Sequence, residues 1–206
     1  DRQKGMGEVS LDSSGTLDRR KVVPELLQDR GDLLVVTGLG SPAYDAMAAG
    51  DHDANYYLWG GMGSAITIGL GLALAQPKRP VLVLTGDGEM LMGLGALATT
   101  GAKHPRNLSV AILDNERYGE TGMQLTHTAH GVGLAEVAKA CKFDHTEVIT
   151  EMDEIAPFRQ QLQSTDAGLR FAQIKIKAEN VEKVLPSRDG VHIKNRFRAH
   201  LGFQPL

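Results

Sequence analysis

Asp87 stands between two glycines, Gly86-Asp87-Gly88, and Asn115 lies 28 positions further on. A carboxylate and an amide oxygen are ligands for a hard cation. Mg2+ held by so few protein oxygens completes its octahedron with phosphate oxygens and water. Each residue follows an apolar run, Val81 to Leu84 in one case and Leu108 to Leu113 in the other. If those runs are neighbouring parallel strands, both turns emerge at one edge of a sheet, beside a helix N-terminus. The chemistry implied is the holding of a phosphate through a cation.

The elements around these turns have local reasons. Short apolar runs bounded by turn residues are expected for strands buried on both faces. Glu89 to Ala102 is rich in Leu, Met and Ala and reads as one helix. Its first amides face the turn and bring a partial positive charge. Upstream, Asp18 to Arg30 reads as an amphipathic helix disturbed by Pro24. Leu33 to Val36 reads as a strand ending in Thr37-Gly38-Leu39-Gly40-Ser41, with Pro42 placed to open a helix. This second glycine turn is expected at the same sheet edge as the first. Downstream, Leu134 to Lys142 reads as a helix, Val148-Ile149 as a short strand, and Glu151 to Gln163 as a helix opened by an acidic turn. Leu169 to Ile176 is a strand whose alternation places it at an edge, and Val191 to Leu201 is a basic helix. Strands alternating with helices predict an α/β fold, a doubly wound, mostly parallel sheet flanked by helices.

The bulk properties bound the rest. The 206 residues suffice for one α/β domain with a sizeable core. Residues 1–15 are rich in Gly, Ser and charge and read as a flexible tail or linker, with the domain over 16–206. The first residue, Asp1, points to a processed product or a piece of a longer chain. A net charge of −3 without a basic run argues against nucleic acid as a partner. The longest apolar segment, Ile66 to Ala75, is too short to span a bilayer, and no signal-peptide core is present, so no membrane is expected and the compartment is cytoplasmic. The single Cys141 excludes an internal disulfide and suits a buried structural thiol.

The GDG…N pattern resembles the signature of thiamine diphosphate (ThDP) enzymes. The run LWGGMG, followed by SAITIGLGLALA, is similar to the segment that holds the cofactor's aminopyrimidine ring in those enzymes. The run LDNERYGETGMQLTH looks like the β subunit of sulfopyruvate decarboxylase and the C-terminal half of phosphonopyruvate decarboxylase. The likeness extends from about Thr16 to Gly202. It implies a pyrophosphate-binding (PP) domain of the ThDP-binding fold, with thiamine diphosphate and Mg2+ as cofactors. By the same resemblance, Asp87, Asn115 and the backbone carbonyl of Arg117 would hold the metal. Leu39, Gly40, Gly86, Gly88, Glu89 and the backbone amides of Glu120 and Thr121 would line the diphosphate. The carbonyl of Gly60 and the amide of Met62 would meet the pyrimidine, with the Met62 side chain as a wedge under the cofactor. A core methionine is the other reading of Met62. Gln124 and His127 are candidates near the substrate, and His127 is a candidate catalytic proton shuttle. A surface histidine is the alternative for His127.

The function implied is that of a PP-domain subunit of a ThDP- and Mg2+-dependent 2-oxo acid decarboxylase. Its substrate would be a small anionic 2-oxo acid such as sulfopyruvate or phosphonopyruvate. The family's chemistry needs a glutamate at N1′ of the pyrimidine, supplied by a Pyr domain, and no second α/β unit is legible here. The implied partner is a Pyr-domain α subunit, or a fused half in cis. PP domains would also pair, giving at least α2β2. A carboligase or a 2-oxo acid oxidoreductase subunit shares the same motifs. A non-catalytic phosphate- or nucleotide-binding module is the alternative from a different class.

Overall fold

The computed structural model describes residues 13–204. Most of the expected tail therefore lies outside the described residues. Of the part that is described, the Ser14 N–H donates to the Glu116 carboxylate at 3.1 Å; just after it, Leu17 bridges to Ile176.

The chain runs through α1 (Arg19–Leu27), β1 (Leu34–Thr37), α2 (Ser41–Ala48), β2 (Asn55–Tyr57), α3 (Ala65–Ala75) and β3 (Val81–Gly86). It continues through α4 (Asp87–Met92), α5 (Ala96–Lys103), β4 (Leu108–Asp114) and a small hairpin of β5 (Arg117–Tyr118) and β6 (Gln124–Leu125). The last elements are α6 (Leu134–Ala140), β7 (His145–Ile149), α7 (Ile155–Leu162), β8 (Arg170–Lys175) and α8 (Gly190–His200). Six strands form one parallel sheet in the order β2-β1-β3-β4-β8-β7. Helices cover both faces, as a parallel sheet requires.

Period two sorts the strand residues between two cores. Val36, Val83, Val110 and Phe171 lie in register across four strands and pack with Ile66, Leu97 and Leu134 on one face. Val35, Leu82, Leu84, Leu113 and Ile174 point the other way, against Val23 and Leu26 of α1 and Phe158 of α7. Helix α8 closes the β2 edge, placing Ile193 in one core and Phe197 in the other.

Three expectations change. The helix expected over Glu89 to Ala102 is two helices, and the first begins at Asp87. A side chain at Gly93 would collide with the backbone of Gly63, so the chain breaks there to pack closely on the neighbouring loop. Strand β8 is interior, between β4 and β7, not at an edge. Its alternation comes from buried polar residues: Gln173 accepts from the Ala135 N–H at 3.1 Å and donates to Asp114 at 2.6 Å. The helix expected from Glu151 begins instead with a 3-10 turn, Met152–Glu154, closed by a reciprocal Glu151–Glu154 capping box. Strand β2 and the β5–β6 hairpin had no clear sequence signal, being two or three residues long.

The order of the strands sets the position of the site. The chain passes from β1 outward to β2, then returns to place β3 on the other side of β1. The direction of winding reverses between β1 and β3, and a crevice opens at their carboxyl ends. The Gly38 N–H bonds the Leu84 carbonyl at 2.8 Å, so the two glycine turns leave the sheet side by side.

Candidate functional site

The loops after β1, β3 and β4 open onto one cleft. Asp87 enters it from the first turn of α4 with its carboxyl almost wholly buried, 2 % exposed. Its Oδ2 accepts from the Thr126 hydroxyl at 2.6 Å and from the Thr128 hydroxyl at 3.3 Å. Burial, then the negative charge of Asp114, pushes the Asp87 pKa up to about 7. A carboxyl so placed is short of positive charge, which a bound cation would supply.

Asp114, the last residue of β4, is buried behind Asp87 and well partnered. Its Oδ2 accepts from Gln173 at 2.6 Å and from the Lys175 ammonium at 2.8 Å, and its Oδ1 from Thr128 at 2.8 Å. Asn115 follows and turns into the cleft. Its Oδ1 accepts the Arg117 N–H at 3.0 Å, a local side-chain turn that brings Arg117 to the same wall. In register, Gly86 pairs with Leu113, so the turns that carry Asp87 and Asn115 are adjacent.

Glu89 is also buried. Its carboxylate accepts the Leu39 N–H at 2.9 Å and the Gly63 N–H at 3.3 Å. Burial raises its pKa while these hydrogen bonds oppose the rise. The side chain ties the turn after β1, the loop before α3 and the start of α4 into one wall.

The cleft is lined by Leu39, Met62, Gly86, Asp87, Gly88, Glu89, Asn115, Arg117, Glu120 and Thr121. Met62 is no core residue: it is 40 % exposed on the loop before α3. Gly40 lies outside the lining with φ 82°, a conformation that favours glycine, and a side chain there would collide with that of Glu120. Gly60 is exposed and outside the lining. Gln124 and His127 are likewise exposed and are not brought into the cleft of this chain. Gln124 instead bonds Thr121 twice at 3.0 Å, closing the β5–β6 turn.

Several lining residues were not legible beforehand. Arg19, at the start of α1, lines the cleft with its Nε 2.6 Å from the buried Asp45 carboxylate. Ser41 and Tyr118 also line it. Nothing local in the sequence marks Thr126 or Thr128 as a partner for a distant carboxylate. Among the described residues no three His, Cys, Asp or Glu side chains converge as a metal cage. A cation at Asp87 and Asn115 would complete its shell with backbone carbonyl and anionic-ligand oxygens.

A family model described as "Thiamine pyrophosphate enzyme, C-terminal TPP binding domain" matches residues 41–168. The chain belongs to the thiamine pyrophosphate enzymes. The matched span contains Met62, Asp87, Asn115, Thr126 and Thr128. Among curated relatives, sulfopyruvate decarboxylase subunit beta of Methanothermobacter thermautotrophicus is 37 % identical over 88 % of this chain and 94 % of that subunit. The Methanocaldococcus jannaschii subunit of the same name is 38 % identical over 66 % of this chain and 73 % of its own. Phosphonopyruvate decarboxylase of Streptomyces viridochromogenes is 36 % identical over 84 % of this chain but only 43 % of that longer protein. The solved structure of benzoylformate decarboxylase from Polynucleobacter necessarius matches with a TM-score of 0.62 over 85 % of this chain and 36 % of that one. At 18 % identity it shows the ThDP-enzyme fold and no more. Among the described residues no helix is long and apolar enough to cross a membrane.

Proposed function

We infer that this chain is the PP-domain subunit of a ThDP- and Mg2+-dependent 2-oxo acid decarboxylase, working with a separate Pyr-domain partner. The observation that carries the reading is the meeting of Asp87 and Asn115 at the switch-point cleft, with the Asp87 carboxyl short of positive charge. The names of the similar β subunits support the reaction class and the existence of a partner.

The residues present fit the cofactor. Asp87, Asn115 and the Arg117 carbonyl would hold Mg2+ against a diphosphate. Leu39, Glu120 and Thr121 line the same cleft, and their backbone amides would meet the diphosphate, although the Leu39 amide serves Glu89 and the Thr121 amide the Tyr118 carbonyl. Met62 is the side chain placed to support the cofactor's rings. When bound, ThDP supplies the nucleophilic carbon and the electron sink for loss of CO2. The protein's part is to orient the diphosphate, neutralise it through the cation and exclude water. The N1′ glutamate would come from the partner.

An apolar surface supports the partner. Met62 and Met92 line the cleft, Ile68 and Leu74 belong to the solvent side of α3, and all four are exposed. The outer positions of α5 near them, Ala98 and Thr99, carry no charge. A face of this kind marks an interaction site, and we assign it to the Pyr-domain subunit and to pairing of PP domains in an assembly of at least α2β2.

The test is co-expression with a Pyr-domain protein and measurement of CO2 release from sulfopyruvate, phosphonopyruvate and pyruvate. Turnover of a doubly anionic 2-oxo acid to the aldehyde supports the reading. Acyloin products would assign a carboligase instead. Full turnover by this chain alone would overturn the split site.

A further inference from the structure

Two threonines reach Asp87 from the far end of the β5–β6 hairpin. Thr126 and Thr128 are both buried, while His127 between them points to solvent. Their hydroxyls form an unbroken string of short contacts. Asp87 Oδ2 meets Thr126 Oγ1 at 2.6 Å, Thr126 Oγ1 meets Thr128 Oγ1 at 2.8 Å, and Thr128 Oγ1 meets Asp114 Oδ1 at 2.8 Å. Asp114 is anchored in turn by Gln173 and Lys175, and Lys175 also holds Glu116 at 2.8 Å. The string thus runs from a residue that lines the cleft to a charged anchor on β8, through side chains closed to water.

Buried threonine hydroxyls ordinarily satisfy themselves on nearby backbone carbonyls. Here both are spent on carboxylates from other elements, and one of those carboxylates is the best cation ligand in the cleft. A hydrogen bond of 2.6 Å in a dry environment fixes the plane of a carboxylate far better than solvent does. It also engages Oδ2, so that a cation in the cleft would be met through Oδ1.

We propose that Thr126 and Thr128 are positioning residues for the cation, holding Asp87 by Oδ2 so that Oδ1 is presented as a single-oxygen ligand. The proposal rests on the reading of Asp87 as a metal ligand. The same pair couples that ligand to the hairpin carrying Glu120 and Thr121, so cation and diphosphate sites are set by one device. Single-oxygen ligation suits Mg2+, which demands a compact octahedron. A carboxylate free to rotate and bind through both oxygens suits Ca2+.

The test is calorimetric titration of Mg2+ and of Ca2+ into the full chain in the presence of excess ThDP. Thr126→Val and Thr128→Val keep volume and β-branching, and Thr126→Ala and Thr128→Ala replace them if the valine variants do not fold. Loss of an orienting partner behind a metal ligand typically costs about 10- to 100-fold in affinity. We expect that loss for Mg2+, with a clearly smaller loss for Ca2+, and near-native Mg2+ affinity in Thr126→Ser and Thr128→Ser. Equal weakening of both cations would make the pair merely structural and overturn the proposal. Native Mg2+ affinity in the valine or alanine variants, with Asp87→Ala losing it, would overturn the positioning role and leave the metal reading standing. Native affinity in Asp87→Ala would overturn the metal reading itself, and the proposal with it.

Discussion

The carboxylate of Glu89 accepts the backbone N–H of Leu39 at 2.9 Å, joining two turns that are 50 residues apart in the chain. Its other oxygen takes the Gly63 N–H at 3.3 Å. Glu89→Gln keeps one acceptor but sets an amide N–H2 against a backbone donor. An unsatisfied buried donor costs about 1–3 kcal/mol. Urea unfolding should show a loss of that order, and ThDP affinity should fall as the Leu39 turn loosens. Unchanged stability and affinity would mean that the wall stands without Glu89.

Asp87 makes the cofactor-free protein sensitive to pH. Its folded pKa of about 7 lies above the ordinary carboxylate value, because of burial and then the Asp114 charge. Such a group favours the folded state when protonated, and that contribution is lost as pH rises from about 4 through about 7. The native chain should therefore lose stability across that window relative to Asp87→Asn. Thermal melts of both proteins at pH 5 and pH 8 check this. Parallel melting curves would show that Asp87 does not titrate there. Mg2+ with ThDP should restore the loss in the native chain at pH 8 and have little effect on the variant.

Met62→Ala should separate packing from chemistry. The side chain is 40 % exposed, so its removal should change stability by no more than about 0.5 kcal/mol. In the assembled enzyme, exchange of the thiazolium proton should slow by more than the cofactor's affinity falls. A variant with native exchange and reduced thermal stability would return Met62 to a packing role.

Leu74 is 51 % exposed on the solvent side of α3, and Ile68, also exposed, precedes it on the same helix. Charge placed there should leave the isolated chain folded and weaken assembly. Ultracentrifugation of Ile68→Glu and Leu74→Glu with a co-expressed Pyr-domain partner should show free subunits where the native pair forms a complex. An intact complex in both variants would move the interface elsewhere.

Much of this molecule follows from local sequence. Apolar runs of four to seven residues bounded by turn residues produce β1, β3 and β4, because strands buried on both faces take such runs. The residues at their ends, Asp87 and Asn115, were legible from chemistry and spacing as residues of one sheet edge, and several that line the cleft, among them Leu39, Met62 and Thr121, were named by resemblance, while Gly40 and Gly60 fall outside the lining. Tertiary structure decided the rest. Gly93 ends a helix because Gly63 lies against it, and no propensity within the segment records that neighbour. Strand β8 is interior because Gln173 and Lys175 find Asp114, which turns a polar alternation from a solvent face into a buried network. Thr126 and Thr128 gain meaning only when β4, α4 and the hairpin converge, since a hydroxyl's partner is chosen by distance in space. Local periodicity encodes which backbone each segment adopts, and convergence of segments far apart in the chain decides which oxygen each buried proton reaches.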